Sequence, residues 1–178
     1  MTTLHKIFTV AALAMLILIG IIYVRLLPLE MPPLTYTYQF ESCPFSVKFP
    51  GKPEIRVKGP TEQATIEGDE LSIIVSCATP TNFNAKFNDP NFVEYYIDQT
   101  IKENGYQLTK KQDLVDSDSS LISQAYTGLI TDSYTRFPVS GKFVATETAY
   151  VEITIIYFQK KLSAKDEKLF FDNLLIMN

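Results

Sequence analysis

The stretch AYVEITIIYF, residues 149–158, carries the clearest strand pattern in the chain. Val151, Ile153, Ile155 and Tyr157 alternate with the residues between them, so in an extended strand they share one face. The β-branched and aromatic content of the stretch is typical of strands with a buried face. It therefore predicts a strand that contributes one side to the core of a folded domain.

Upstream of this strand, three further alternating stretches are separated by short polar turns. They cover residues 106–114, 121–130 and 134–145. A helix is predicted before them, because Asp89-Pro90 combines an N-cap residue with a proline in the first helical position. Asn104-Gly105 supplies a left-handed stop for that helix.

The start of the domain also alternates, which predicts more strands ahead of the helix. These strands cover residues 35–41, 45–49, 54–57, 63–66 and 71–78. At the other end of the domain, Ser163 and Asp166 have the spacing of a capping box, and a final helix is expected to run from there to the C-terminus. Consecutive strands joined by short turns favour an antiparallel sheet with helices packed on it, which is an α+β fold.

The N-terminal run IFTVAALAMLILIGIIYV, residues 7–24, contains no charge and lies between Lys6 and Arg25. A helix over this run is roughly 27 Å long, close to the roughly 30 Å hydrocarbon thickness of a bilayer. The alternative is a cleaved secretory signal, but the run ends in bulky residues where a signal peptidase needs small ones. We therefore predict an uncleaved transmembrane signal anchor over residues 7–25.

The anchor divides the chain into four parts. Residues 1–6 form a short cytoplasmic N-terminus, and residues 26–35 form a spacer that Pro28, Pro32 and Pro33 keep extended. Residues 36–178 form the α+β domain. Since a short basic segment before the apolar run favours a cytoplasmic N-terminus, the domain is predicted to be periplasmic or otherwise extracytoplasmic, on a single-pass protein of the bacterial inner membrane.

The charge of the chain bears on its partners, and its two cysteines bear on whether the domain is cross-linked. The chain has 16 Lys and Arg against 20 Asp and Glu, and its basic residues form no run longer than a pair, so no nucleic-acid partner is expected. Cys43 and Cys77 are an even pair in a domain that we place outside the cytoplasm, which favours a disulfide. Two separately buried thiols are the alternative.

Several quoted segments together resemble the Mog/PsbP-like group of α/β/α sandwich proteins. They are FSVKFPGKPE at 45–54, the helix that opens at Asp-Pro and closes at Asn-Gly, the strand AYVEITIIYF, and DEKLFFDNLLI at 166–176. The resemblance covers most of residues 36–178. It implies an accessory or assembly factor or a protein-binding module, with no shared active site.

Catalytic residue types are scarce. The single histidine, His5, precedes the apolar run, so the domain has no Ser-His-Asp or Cys-His arrangement and lacks the commonest zinc ligand. The sequence contains no nucleotide-binding or nucleophile-elbow motif. Asp113, Asp116 and Asp118 lack the spacing of a calcium loop. We therefore predict no enzymatic activity, no cofactor and no metal site.

Aromatic residues are the remaining signal. With 10 Tyr, 12 Phe and no Trp, the chain offers Tyr95, Tyr126, Tyr134 and Phe137 as candidate interface aromatics, because exposed aromatic side chains commonly anchor protein interfaces. The predicted function is that of a non-catalytic, membrane-anchored envelope protein that binds another protein, as an accessory or assembly subunit of a membrane complex. The alternative is a domain that binds a small molecule or lipid in a cleft between sheet and helix.

Overall fold

The computed structural model describes residues 3–79, 87–103, 105–112, 115–117, 121–132 and 135–177. Its elements, in chain order, are α1 Thr3–Leu26, β1 Tyr36–Gln39, β2 Phe45–Phe49, β3 Glu54–Lys58, β4 Thr61–Glu67, β5 Leu71–Ala78, α2 Pro90–Glu103, β6 Tyr106–Lys111, β7 Val115–Ser117, β8 Leu121–Asp132, β9 Thr135–Ala145, β10 Tyr150–Tyr157, α3 Ala164–Phe171 and β11 Leu175–Ile176. The predicted α+β class is confirmed.

Most strands belong to one antiparallel sheet in the order β3-β4-β5-β10-β9-β8-β6, with β7 paired to β8. The predicted strand at 149–158 is β10, which lies between β5 and β9. Its register places Val151 opposite Cys77 on one side and opposite Val144 on the other. β10 is thus flanked by strands on both edges, and all of its residues except Ile156 are buried.

The face of β10 that carries Val151, Ile153 and Ile155, here called the core face, is fully buried. A second sheet, ordered β1-β2-β11, packs against it together with Phe170 of α3. The opposite face of the large sheet, which carries Tyr150, Glu152 and Thr154, is called the helix face because α2 packs on it. The sheet thus has a helix on one side and a mixed sheet-and-helix layer on the other.

A loop between β1 and β2 is fastened to the core face at several points. Cys43 in this loop and Cys77 in β5 form a disulfide with a Cα–Cα distance of 6.5 Å, as the cysteine pair predicts. Glu62, the neighbour of Cys77 on β4, accepts hydrogen bonds from the backbone N–H groups of Glu41 and Ser42, each at 2.9 Å. Burial alone would raise the pKa of Glu62, but these bonds and one from Tyr38 outweigh it and lower the pKa.

The N-terminal segment consists of α1 and an irregular stretch that contacts the domain. The large apolar side chains described between Leu13 and Val24 are 50–67% exposed. The proline-rich residues after α1 form no helix, as predicted, but Leu29, Met31 and Leu34 pack against the domain core, so this spacer does not stand clear of the domain.

Membrane-spanning potential can be assessed only for the described residues. Among them, no helix is both long enough and apolar enough to cross a bilayer. The anchor expected over residues 7–25 stays a prediction.

The C-terminal region differs from expectation. Ser163 caps the helix as predicted, since its hydroxyl accepts a hydrogen bond from the Asp166 N–H at 3.1 Å and donates one to the Asp166 carboxylate at 2.9 Å. The helix does not continue to the C-terminus, however: α3 ends at Phe171 and Leu175–Ile176 pairs with β2. The side-chain amide of Asn173 holds this turn by donating to the Phe170 carbonyl at 2.7 Å, and strand pairing then replaces helical bonding.

Candidate functional site

The helix face of the large sheet is only partly covered by α2. Val93, Ile97 and Ile101 of α2 are buried against β8, β9 and β10. Farther along the sheet, Ile74 of β5 and Ile156 of β10 are only half-buried. Among the described residues, α2 is the one helix that packs on this face, so the half of the face near β4 and β5 is open.

A buried carboxyl group lies under α2 at the boundary of the open half. Glu152, in the middle of β10, is 8% exposed. Its carboxylate accepts a hydrogen bond of 2.6 Å from the Tyr126 hydroxyl, which is also 3.2 Å from the Thr154 hydroxyl. Burial raises the pKa of Glu152 above 4.5, and the bond from Tyr126 offsets this only in part.

Tyrosine rings surround this acid. Tyr96 of α2 lies with its ring centroid 4.5 Å from that of Tyr150, and burial raises the pKa of both phenols. Burial, together with the charge of Glu152, raises the pKa of Tyr106 to about 12. The phenols of the cluster are therefore neutral hydrogen-bonding groups at neutral pH, and the cluster contains no histidine or free thiol.

Beyond this cluster, the open half of the helix face contains a cleft of about 510 Å³. Its lining includes Ile74, Ile156 and Phe158 as apolar groups, with Glu67, Asp69 and Ser72 at polar positions. Its size falls within the roughly 300–1,000 Å³ of small-molecule sites. It is a candidate pocket whose walls come from β4, β5 and the end of β10.

At the edge of the large sheet, β3 is exposed along its whole length. Its side chains alternate between charged residues on the helix face and two apolar residues, Ile55 and Val57, on the core face; Val57 is 69% exposed. The five residues of β3 pair with β4 in unbroken register, and among the described residues β4 is the only strand that pairs with β3. Its outer edge is therefore free.

The aromatic residues proposed from the sequence have different surroundings. Tyr95 on α2 is 62% exposed, as an interface residue requires. Phe137 is half-buried, with its ring 5.3 Å from that of Phe158 in an edge-to-face contact. Tyr134 lies outside the described residues.

Tyr126 cannot be an interface aromatic in this structure, because it is 2% exposed. Its ring lies over Gly141, the residue opposite it on β9. A side chain at position 141 would overlap the ring of Tyr126. No local pattern indicates this pairing, since Gly141 is 15 positions from Tyr126 along the chain.

The candidate metal-binding and acid–base residues are not brought together in the described part of the chain. Within the described residues, no group of three or more His, Cys, Asp or Glu side chains is placed to hold a metal ion. Asp113 and Asp118 lie outside the described residues. Glu147 is in an exposed turn, whereas Glu152 is buried under α2.

The importance of Glu152 was missed at the level of sequence. The sequence does contain a signal for it, because Glu152 and Thr154 are polar residues in the otherwise apolar and aromatic strand β10. The free edge at β3 was likewise missed, because strand order does not follow from local pattern.

The fold, but no family, is shown by comparison with known proteins. The chain is similar to a solved structure from Bacteroides thetaiotaomicron VPI-5482, with 14% sequence identity and a TM-score of 0.50, over 82% of this chain and 50% of that one. It therefore spans about half the length of that protein. It is also similar to the Ran-binding protein Mog1p of Saccharomyces cerevisiae, with 10% identity and a TM-score of 0.49, over 80% of this chain and 95% of Mog1p.

Sequence comparisons give no match. No family model matches the chain, and no curated protein matches it. Mog1p is among the similar solved structures, which agrees with the resemblance to the Mog/PsbP-like group. At these identities the likeness concerns the fold alone.

Proposed function

We propose that this chain is a non-catalytic, membrane-anchored envelope protein whose α+β domain binds another protein by strand addition at β3. In this proposal α1 is the anchor in the bacterial inner membrane, and the domain is a periplasmic accessory or assembly subunit of a membrane complex. The observation that carries the proposal is the free, fully exposed edge of β3.

The two edges of the large sheet differ in how they are protected. At β6 the register shifts between Leu108 and Lys110, and such a bulge discourages pairing with another chain. At β3 the register is regular, with no bulge between Glu54 and Lys58. An exposed, regular edge strand offers its free backbone groups to an incoming strand, which is the basis of strand addition.

The side chains of β3 indicate which strand would fit. Ile55 and Val57 lie on the core face, where a partner strand could place apolar side chains beside them. Glu54, Arg56 and Lys58 lie on the other face, and Arg56 already pairs with Glu54 at 2.9 Å. Covering Val57, now 69% exposed, would contribute about 1–2 kcal/mol. The expected partner segment is an extended strand of alternating apolar and polar residues.

The anchor part of the proposal is supported by the uncharged run at residues 7–24. Helix α1 comprises 24 residues and includes this run. A helix over the run alone is roughly 27 Å long, close to the roughly 30 Å hydrocarbon core. Its described apolar side chains point in all directions yet remain at least half exposed, whereas a helix of a water-soluble domain normally buries one apolar stripe.

Val57→Asp tests the docking edge in the full chain purified in mild detergent. Leu169→Asp is the matched control, because Leu169 on α3 is an exposed apolar side chain, 55% accessible, outside the large sheet. We expect the wild type and Leu169→Asp to co-purify with one stoichiometric protein, and Val57→Asp to lose it while keeping its fold by circular dichroism. Retention of the partner by Val57→Asp would refute docking at β3.

A photo-cross-linking amino acid at position 57 gives a second measurement that does not depend on affinity. It should produce one discrete cross-linked product in intact cells, and the same amino acid at position 169 should not. Extraction of membranes with alkaline carbonate tests the anchor separately: the proposal requires the chain to stay with the lipid.

The second candidate function is the binding of a small molecule or lipid in the cleft. The cleft of about 510 Å³ with Ile74, Ile156 and Phe158 in its lining favours it. A monomer that carries an extractable apolar compound, detected by mass spectrometry, would support it. Ile74→Trp should then reduce the recovered compound by filling the cleft, and recovery unchanged by this substitution would exclude the cleft as its site.

A further inference from the structure

The C-terminal end of α1 contacts one particular part of the domain, the segment Phe158–Leu162, here called the 158–162 turn. The Lys160 ammonium donates a hydrogen bond of 3.0 Å to the Val24 carbonyl. Five residues after Val24, the Leu29 N–H donates to the Lys161 carbonyl at 2.9 Å, and Leu29 forms a bridge with Leu162. Val24, the last residue of the uncharged run, therefore lies within one side-chain length of this turn.

The 158–162 turn is itself held firmly on the sheet. The backbone N–H groups of Phe158 and Gln159 donate to the Glu70 carbonyl at 2.8 and 3.3 Å, and Leu162 is 5% exposed in the core. Since Tyr157 pairs with Leu71, the turn lies at the end of the large sheet where β5 begins. The position of α1 is thereby coupled to one end of the sheet.

Apolar and basic side chains project from the same turn. Phe158 is 40% exposed and packs edge-to-face on Phe137, with centroids 5.3 Å apart. Lys161 is exposed, with its ammonium 5.7 Å from the centroid of the Tyr157 ring. Aromatic rings with lysines beside them are suited to the boundary between headgroups and acyl chains, where the ring can be buried and the ammonium remains hydrated.

We propose that the 158–162 turn, with Phe137 beside it, is a membrane-contact surface that inserts Phe158 into the headgroup region of the bilayer. This inference rests on the proposed anchor, because Val24 is the last residue of the uncharged run and would lie at the bilayer boundary. A side chain bonded to the Val24 carbonyl lies at the same depth. The large sheet then has its Leu71 end at the membrane and its Ala78 end away from it.

Acidic side chains near the turn define the kind of lipid surface expected. Glu67 and Asp69 line the cleft beside Phe158, so the local charge is mixed and an excess of anionic lipid is not required. Contact is expected with zwitterionic phosphatidylcholine, and vesicles of this lipid alone provide the test.

The absence of tryptophan from the chain allows a direct depth measurement. Phe158→Trp is made in the full chain and reconstituted in phosphatidylcholine vesicles whose acyl chains carry bromine near the headgroup. Tyr95→Trp is the matched control, because Tyr95 is an exposed aromatic, 62% accessible, on the first turns of α2. That helix begins beyond the Ala78 end of β5, far from the turn.

We expect the Phe158→Trp emission to shift to shorter wavelength in vesicles and to lose most of its intensity to the bromines, while Tyr95→Trp changes little. Equal quenching of the two variants, or none in either, would overturn the membrane-contact surface. A nitroxide on Lys161→Cys gives an independent reading, since in vesicles it should be less accessible to a water-soluble relaxation agent than a nitroxide on Tyr95→Cys.

Alkaline carbonate extraction of the same vesicles separates the two proposals. A chain that remains in the lipid with an unquenched Phe158→Trp overturns this surface alone. A chain that is released overturns the anchor, and the surface with it.

Discussion

Replacing the buried acid under α2 by its amide, Glu152→Gln, should make the protein more stable at neutral pH than the wild type. Glu152 is 8% exposed and accepts a hydrogen bond of 2.6 Å from Tyr126. The amide oxygen of Gln has the same shape and can accept the same hydrogen bond, but it cannot ionise. The substitution therefore removes the charge with little change in packing.

The magnitude follows from the pKa of Glu152, which burial raises above its ordinary value of 4.5. Below that value the carboxyl group is protonated in both the folded and the unfolded state, so wild type and variant should be about equally stable. As the pH rises, the unfolded wild type ionises first, and its stability falls by up to about 1.4 kcal/mol per pH unit until the folded-state pKa is passed. The stability of Glu152→Gln should not fall over this pH range, because its amide does not ionise.

Urea unfolding between about pH 4 and pH 8, followed by near-ultraviolet circular dichroism, measures the difference between variant and wild type. Each kcal/mol should also raise the melting temperature by roughly 2–4 °C. Comparing the two proteins cancels contributions common to both, including those of Glu62 and Asp172, whose pKa values are lowered in the fold. Glu94→Gln, on the exposed side of α2, is the control.

A difference in stability that does not change with pH would contradict a raised pKa of Glu152. So would a Glu152→Gln variant that is less stable than the wild type by a deficit that grows with pH, because the carboxylate would then be better stabilised in the fold than in water.

Two further predictions concern packing and cross-linking. Gly141→Ala should destabilise the protein by roughly 1–3 kcal/mol, because the added methyl would overlap the ring of Tyr126. Gly51→Ala is the control: its methyl would meet nothing within 4 Å, so it should change stability by less than about 1 kcal/mol. Thermal unfolding measures both variants. Reduction of the Cys43–Cys77 disulfide, which spans 34 positions, should cost roughly 3–4 kcal/mol, and a urea midpoint unchanged by reductant would contradict this.

Local signals in the sequence were sufficient for most of the elements. Asp89 and Pro90 start α2, and the Asp89 carboxylate accepts a hydrogen bond from the Asn91 N–H at 2.8 Å, as an N-terminal cap should. The period-two stretches became strands because alternation and turn residues act over a few positions. Helix caps and strand alternation depend on residues that are close in sequence, so they could be predicted without knowledge of the fold.

The features that were missed depend on contacts distant in sequence. β11 forms because Leu175 and Ile176 pair with Ser46 and Phe45 of β2. No local pattern at the C-terminus indicates this pairing. Tyr126 is buried because a glycine lies opposite it on β9. Exposure of an aromatic side chain is decided by what packs on it, and alternation specifies a face without saying whether that face is covered.

The two proposals together constrain the partner at β3. Since Glu54 pairs with Thr65 near the end of β4, β3 starts at the membrane-proximal end of the sheet and runs away from the bilayer. A second copy paired antiparallel to β3 would be related by a two-fold axis normal to the sheet, and its own membrane-proximal end would point away from the bilayer.

Two anchored copies in one membrane therefore cannot join through β3 in this way, although Glu54 and Lys58 would face each other across such a pair. Val57→Cys measures this, because Cys43 and Cys77 are bonded and the new thiol is the only one available. In vesicles that carry the full chain, mild oxidation should give no disulfide-linked dimer through position 57. A dimer formed in high yield would show that the sheet does not stand on the membrane as proposed, or that the chain is not held there.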